Sequence, residues 1–558
     1  MKSRCWMVFL LVLLNGVIAV GQSEKEKDKA QEPAATFKSR TELVVVPAVV
    51  TDKSGHVAGL KQEDFTLTEN GVEQKIAFFE EVQTKTDRLH WAQQQPNTFS
   101  NFLMGQPAPK RVTIIVLDLL NTGFTDQVYA RKGLMKFLSD SLDTTEPMAL
   151  FVLTRDGLKV IHDFTTDPKV LVAAVNRVKG STNQVAVPVE DQSQMSDAMA
   201  ENVEAQALQS AMQQAEINSN SQQQRLAILY TLQAMEQLAR AFGGVPGRKS
   251  VVWATGSFPF NVSDTTMELA APGQADLSDV RQLYERTWQE LNDGNFALYP
   301  VDVRGLMGPS IGNAGMRNTS VNNRYAFAGE FARRDSIQTL MTFAEETGGK
   351  AYVNSNDIAG GFRKAADDSA HYYVLGYYMD HAKEKPGWHK LGVKVKREGV
   401  TVRARSGFLL TKTTADPTGT REMDLDTALR SPVDYTEIPV RLRWAKMGPA
   451  KDATHREVEY FVDMPADSAA VDAGDNNHVR LEFVALIKTP EGKQVDKPEM
   501  QVMDAHVKPE NVEKLRSSGI TYRNVLNVAP GDYLVRFVVR DGITGKMGSV
   551  AATLKVPQ

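Results

Sequence analysis

Hydrophobic positions along the chain fall into three regimes. From Leu43 to Phe79 they come as short runs: Leu43 to Val50, then Phe65 and Leu67, then Ile76 to Phe79, with turns at Asp52 to Gly55 and Asn70-Gly71. Asn-Gly between apolar runs signals a hairpin, because both residues accept positive φ. A small β unit is predicted over 41–84, with too few strands to stand alone. Between residues 111 and 366 the runs become continuous: Val112 to Leu117, Met148 to Leu153, Val251 to Ala254 and Phe296 to Val301. Runs of this kind fit strands buried on both faces. Between them Leu134, Phe137 and Leu138, then Leu171, Val172, Val175 and Val178, then Leu283, Tyr284, Trp288 and Leu291 recur at helical spacing. Asp167-Pro168 reads as an N-cap followed by proline at the first helical position. Asp156-Gly157 turns the second run back into an antiparallel edge strand, Leu158 to Ile161. The alternation predicts an α/β domain with a doubly wound, mainly parallel, Rossmann-like sheet and helices on both faces.

Alternating strands return after it. Tyr372 to Met379, then Leu391, Val393 and Val395, then Val400, Val402 and Ala404 predict a second β unit over 370–411 that pairs with 41–84, so that the α/β domain is inserted into one sandwich. Strict alternation at Val440/Leu442/Trp444, Val458/Tyr460/Val462, Val479/Leu481/Phe483 and Tyr533/Val535/Phe537/Val539 predicts a C-terminal immunoglobulin-like β-sandwich over 422–558. The fold class therefore reads as α/β plus β, with flanking sandwich units. Thr84 to Lys110 reads as an irregular connector and Leu306 to Tyr325 as a loop. Gln192 to Gln224 reads as one polar helix with a break near Asn218-Ser219-Asn220.

The N-terminus changes the picture of where the chain works. Lys2 and Arg4 precede the apolar stretch Trp6 to Leu14, then Val17 to Val20 and small residues to Gly21, and a polar run follows. This is the pattern of a signal peptide over 1–21, with a flexible tether over 22–40. Export predicts a periplasmic, cell-surface or secreted protein without an integral span once the signal is removed. The chain holds 64 Lys+Arg against 68 Asp+Glu, a net charge of -4. Cleavage leaves 62 basic residues against the same acids, so no global field attracts nucleic acid. The one cysteine, Cys5, goes with the signal, which excludes a disulfide scaffold and a cysteine-based zinc site.

Three segments carry a resemblance. The run Val112 to Leu117 ends in Asp118-Leu119-Leu120-Asn121-Thr122, and Gly180-Ser181-Thr182-Asn183 and Gly247 to Gly256 follow in order. This is similar to a von Willebrand factor A domain, and more narrowly to the secreted VWFA-related proteins of Acidobacteria. The resemblance implies a metal-ion-dependent adhesion site at the carboxyl edge of the sheet, where hydroxyls and carboxylates from three loops hold a divalent cation. Matched residue by residue, Asp118 stands for the first acid, Thr122 for the second hydroxyl and Thr182 for the loop threonine. Two positions depart: Leu120 offers no ligand atom, and Thr255 stands where a carboxylate belongs. Asn121 or Asp126 are the candidates to compensate. No cofactor is fixed by the sequence; the resemblance implies Mg2+ or Mn2+ at a degenerate site. The alternative for Asp118 is a carboxylate that caps the following helix.

Nothing else in the sequence carries chemistry. Gly243 to Ser250 lacks the spacing of a phosphate-binding loop and precedes a strand. The nine histidines are scattered, and His371 and His381 lie among tyrosines that suit a sandwich face. Asn261 and Asn318 sit in glycosylation-type triplets, which recur by chance. The sequence thus predicts an exported, non-enzymatic protein-binding or adhesion-type protein whose partner is an extracellular or periplasmic protein. The alternative is a structural or envelope-assembly component that binds through its β-sandwiches.

Overall fold

The computed structural model describes residues 41–83, 90–91, 96–101, 105–106, 111–140, 146–180, 203–258, 278–306, 336–380, 384–410, 418–450 and 454–557. The predicted signal peptide, tether, Thr182, His381, Asn261, Asn318 and most of the 306–325 loop lie outside the described residues.

Strands from both ends of the first two thirds of the chain share two sheets. Thr41–Asp52 pairs antiparallel with His371–Asp380, from Thr41 opposite Asp380 to Ala48 opposite Tyr373, and its far end pairs with Thr401–Ala404. Phe65–Glu69 pairs with Gly387–Val395 in the facing sheet. Asn70 (φ 50°) and Gly71 (φ 83°) close the hairpin to Val72–Gln74 in the left-handed conformation that two-residue turns demand. Val46, Ala48, Val50, Leu67, Leu375 and Tyr377 fill the core between the two sheets.

Residues 111–368 build a five-stranded sheet in the order 157–165, 148–154, 111–118, 248–255, 296–302. Three of its pairings are parallel, and the outermost, Met148–Thr154 with Gly157–Thr165, is antiparallel. On one face Ile115, Leu117, Val252 and Tyr299 meet the helices Phe124–Asp140, Pro168–Arg177 and Ile358–Asp368. On the other, Val112, Ile114, Val116 and Trp253 meet Val203–Phe242, Ser278–Asp293 and the helix over 336–346. Residues on the two sides alternate along each strand, as the pleat requires.

The sequence expectation of a doubly wound, mainly parallel vWA-like sheet as the fold class is corrected. Strand makes up 44% and helix 28%, and the strands lie in several mainly antiparallel sheets. The alternation of apolar runs and helices speaks for one sheet, and that sheet is mixed, because the turn at Asp156-Gly157 folds its edge strand back. The class is set by the segments on either side, where strands follow one another through short connections.

Beyond residue 430 a three-stranded and a four-stranded antiparallel sheet enclose one core, with Val458, Tyr460, Leu481, Phe483, Val535 and Phe537 inside. The 84–110 segment is not wholly irregular: Thr98–Ser100 adds an edge strand to this unit beside Arg441–Arg443. Asn101 then clamps it, donating from Nδ2 to the Tyr435 and Ile438 carbonyls and accepting from Val440 N–H. The helix Val203–Phe242 runs without the break predicted at 218–220. A turn there would need its own hydrogen bonds, whereas continuing the helix satisfies each backbone group in place.

The C-terminal unit docks on the helices of the mixed sheet. Val484, Leu486, Val538 and Met547 point away from their own core into that of the α/β unit, beside Leu425, Ala428 and Leu429 of the helix Thr418–Arg430. Leu425, Ala428 and Leu429 fall on one helix face at i, i+3 and i+4. A buried charge cluster crosses the same junction. Arg240 meets Glu236 (3.2 Å) and Glu290 (3.1 Å), and Arg286 meets Asp424 (3.0 Å).

Candidate functional site

Asp118 closes the central strand and is 1% exposed. The chain turns sharply after it, and the carboxylate organises that turn. Oδ1 accepts from the backbone N–H of Leu120 (3.1 Å) and of Asn121 (2.9 Å). Oδ2 accepts from Asn121 Nδ2 (2.8 Å) and from the indole Nε1–H of Trp253 (3.0 Å), and lies 2.9 Å from the Thr255 hydroxyl. The Thr255 Oγ1 is also 2.7 Å from the Ser257 carbonyl, so its single proton serves one of two acceptors. Burial pushes the Asp118 carboxyl above the ordinary carboxylate range, and the hydrogen bonds from Asn121, Trp253 and Thr255 pull the other way.

The neighbouring candidates are spent in the same manner. Thr122, 2% exposed, accepts from Gly256 N–H (2.9 Å). A side chain at Gly256 would bring its Cβ within 3.0 Å of the Asn121 carbonyl, so this close approach needs glycine. Asn121 also donates from Nδ2 to the Thr231 hydroxyl (2.9 Å) on the long helix. The fully buried Gln127 donates to the Leu119 and Thr122 carbonyls. Leu120 packs into the hydrophobic core on one face of the sheet. At Asp126 burial raises the carboxyl, Arg304 lowers it and Asp302 raises it further. Arg304 is in turn held on Asp302 at the end of the last parallel strand, through Nε and Nη2 at 2.9 Å each.

These residues do not fit a divalent cation. A hard cation needs an open array of oxygens. A carboxylate has about four acceptor positions. Those of Asp118 are taken by four N–H donors with a hydroxyl beside them, Thr122 Oγ1 is taken by a backbone amide, and Leu120 and Thr255 supply no charge. The helix-cap alternative also fails, because the following helix starts at Phe124; Asp118 caps the 119–121 turn instead. What the arrangement does is tie the central strand, the Arg248–Thr255 strand and the long helix to one anion.

Sequence reasoning missed Trp253 and Gln127. A signal for the first was present: a tryptophan inside a fully buried strand must find an acceptor for its indole N–H, and the end of the neighbouring strand offers Asp118. It also missed a second cluster, in the N-terminal sandwich. Glu69 and His389 are buried (5% and 3% exposed), with Glu69 Oε1 at 2.5 Å from His389 Nδ1. Their ligand-capable atoms and one from the exposed Glu384 all lie within 4.8 Å of one another. Glu69 and His389 are 320 residues apart in sequence, so no spacing rule could pair them.

No family model matches the sequence, and no curated protein matches it. The functional reading rests on the residues and their geometry.

Proposed function

We propose that this chain is an exported, non-enzymatic protein-binding protein, akin to the secreted VWFA-related proteins, in which the Asp118 position has passed from ligand binding to internal structure. One observation carries the reading: the acceptor positions of the Asp118 carboxylate are met by donors of the protein itself. Binding then belongs to surface loops, without a metal bridge. Export is supported by Lys2, Arg4 and the apolar stretch that follows. Among the described residues no helix is long and apolar enough to cross a membrane.

The test is surface capture of extracellular proteins by the full exported chain, with the bound partner then titrated in Mg2+ and in EDTA. Equal affinity in both supports the reading. A loss of tenfold or more in EDTA together with Mg2+ rescue overturns it. Mass analysis of the exported protein checks the other half, and a mature chain beginning at Gln22 is expected; a retained leader overturns export with cleavage.

A second reading, an assembly component that binds by strand addition, has its own support. Glu499–His506 is the outermost strand of the C-terminal sheet, with Met500 and Val502 exposed. An unpaired edge of this kind is a template for a partner strand. Val502→Pro should abolish partner binding on this reading and leave it unchanged on the first.

A further inference from the structure

The Glu69–His389 cluster is built differently from a structural ion pair. His389 Nε2 lies 2.8 Å from the Lys385 carbonyl, an acceptor only, so that nitrogen carries a proton. Nδ1 is thereby the nitrogen turned to Glu69 Oε1 at 2.5 Å, with Asn70 Nδ2 at 3.5 Å from it. Metal-binding histidines are held in just this way, with the second ring N–H fixed on a backbone carbonyl or carboxylate. The imidazole is also pinned flat against Phe408, with centroids 5.1 Å apart and planes 23° from parallel.

A second observation points into the same place. Tyr377 is 1% exposed, and its hydroxyl, which faces the Glu69 carboxylate, makes no well-formed hydrogen bond among the described residues. A buried hydroxyl without a well-formed hydrogen bond calls for an explanation. An oxygen bound to an ion beside Glu69 would supply one.

We propose that Glu69, Glu384 and His389 form a site for a divalent transition-metal cation, taken from solvent at the exposed Glu384. The ion takes the place of the direct Nδ1–Oε1 contact. Two carboxylates balance its charge, and one imidazole favours zinc-type over magnesium-type ions. Metal–ligand bonds of about 2.0–2.2 Å set ligand atoms roughly 3.4 Å apart in a tetrahedron. The Glu69–His389 contact must therefore open by about 1 Å as Glu384 closes in. Water completes the shell and reaches toward Tyr377.

The test is calorimetric titration of Zn2+ into the full-length, chelator-treated protein. One ion per chain is expected, with affinity at least tenfold weaker in Glu384→Gln and lost in His389→Gln. Mg2+ in excess should not compete, and Asp126→Asn should bind as the parent does. Zinc-edge absorption should show nitrogen and oxygen ligands only. Glu384 is exposed, so Glu384→Gln keeps the fold and carries the decision where His389→Gln melts early. Absence of stoichiometric binding overturns the proposal, as does binding untouched by Glu384→Gln. Binding lost instead in His478→Gln overturns it too, because His478 stacks on His506 near Asp475 and Asp504 at the surface.

Discussion

Two buried carboxylates set the terms for this molecule. Asp118 and Glu69 are both nearly inaccessible, at 1% and 5% exposure, and both end a strand before a tight turn. Asp118 receives four N–H donors and has the Thr255 hydroxyl beside it; Glu69 is met by His389 and faces the Tyr377 phenol, which makes no well-formed hydrogen bond among the described residues. Burial alone does not mark a functional acid. What separates the two is how much of the anion's hydrogen-bonding capacity the fold has already used.

That contrast breaks most visibly on substitution. Asp118→Ala leaves an indole N–H, a side-chain amide and two backbone amides without their acceptor, and should cost about 3–5 kcal/mol in urea unfolding. A cost below about 1 kcal/mol would mean that water replaces the carboxylate, and the contrast would fail. Glu69→Gln keeps its shape and disturbs one principal contact, so about 1–3 kcal/mol is expected in the same measurement. A cost equal to that of Asp118→Ala would show that Glu69 is as fully committed as Asp118.

Acid titration sharpens the comparison further. The folded Asp118 carboxyl holds its proton to higher pH than the ordinary 3.8. Above that value the unfolded chain ionises first and binds fewer protons, so the Asp118 contribution to stability falls as pH rises toward the folded pKa. Asp118→Asn should remove this slope from the difference curve; an unchanged slope would assign it to other acids. The smallest effect is a null one. Mg2+ at a hundredfold excess over the dissociation constant of a working site would add about 2.7 kcal/mol. Through Asp118 we expect no shift in melting midpoint, and a shift abolished by Asp118→Asn would reverse that reading.

Local chemistry was largely legible. Asp167 does cap the helix Pro168–Arg177 by accepting from Lys169 N–H (2.9 Å), and Asp156-Gly157 does reverse the chain. That Leu120 and Thr255 offer no charge was also plain from the residues themselves. Hidden were the features that depend on which strands become neighbours: the indole of Trp253 reaching Asp118 across 135 residues, and His389 reaching Glu69 across 320. The class of the fold was misread for a related reason. A continuous apolar run announces burial on both faces but not the direction of the strand beside it, so five strands of one mixed sheet weighed more in the pattern than the antiparallel sheets around them.

The pairing of Thr41–Asp52 with His371–Asp380 also sets a clock. Paired residues of the two strands lie up to 339 positions apart, Thr41 opposite Asp380. At roughly 5–20 residues per second of synthesis, the first strand waits on the order of 17–70 s before its partner exists. During that time Leu43, Val44, Val45 and Val46 form an unpaired, β-prone segment at the leading end of the nascent chain, of the kind that invites aggregation. The mixed sheet, complete by residue 302, has all its strands well before then. The N-terminal sandwich, whose strands run on to Leu410, is thus the last of the two to close.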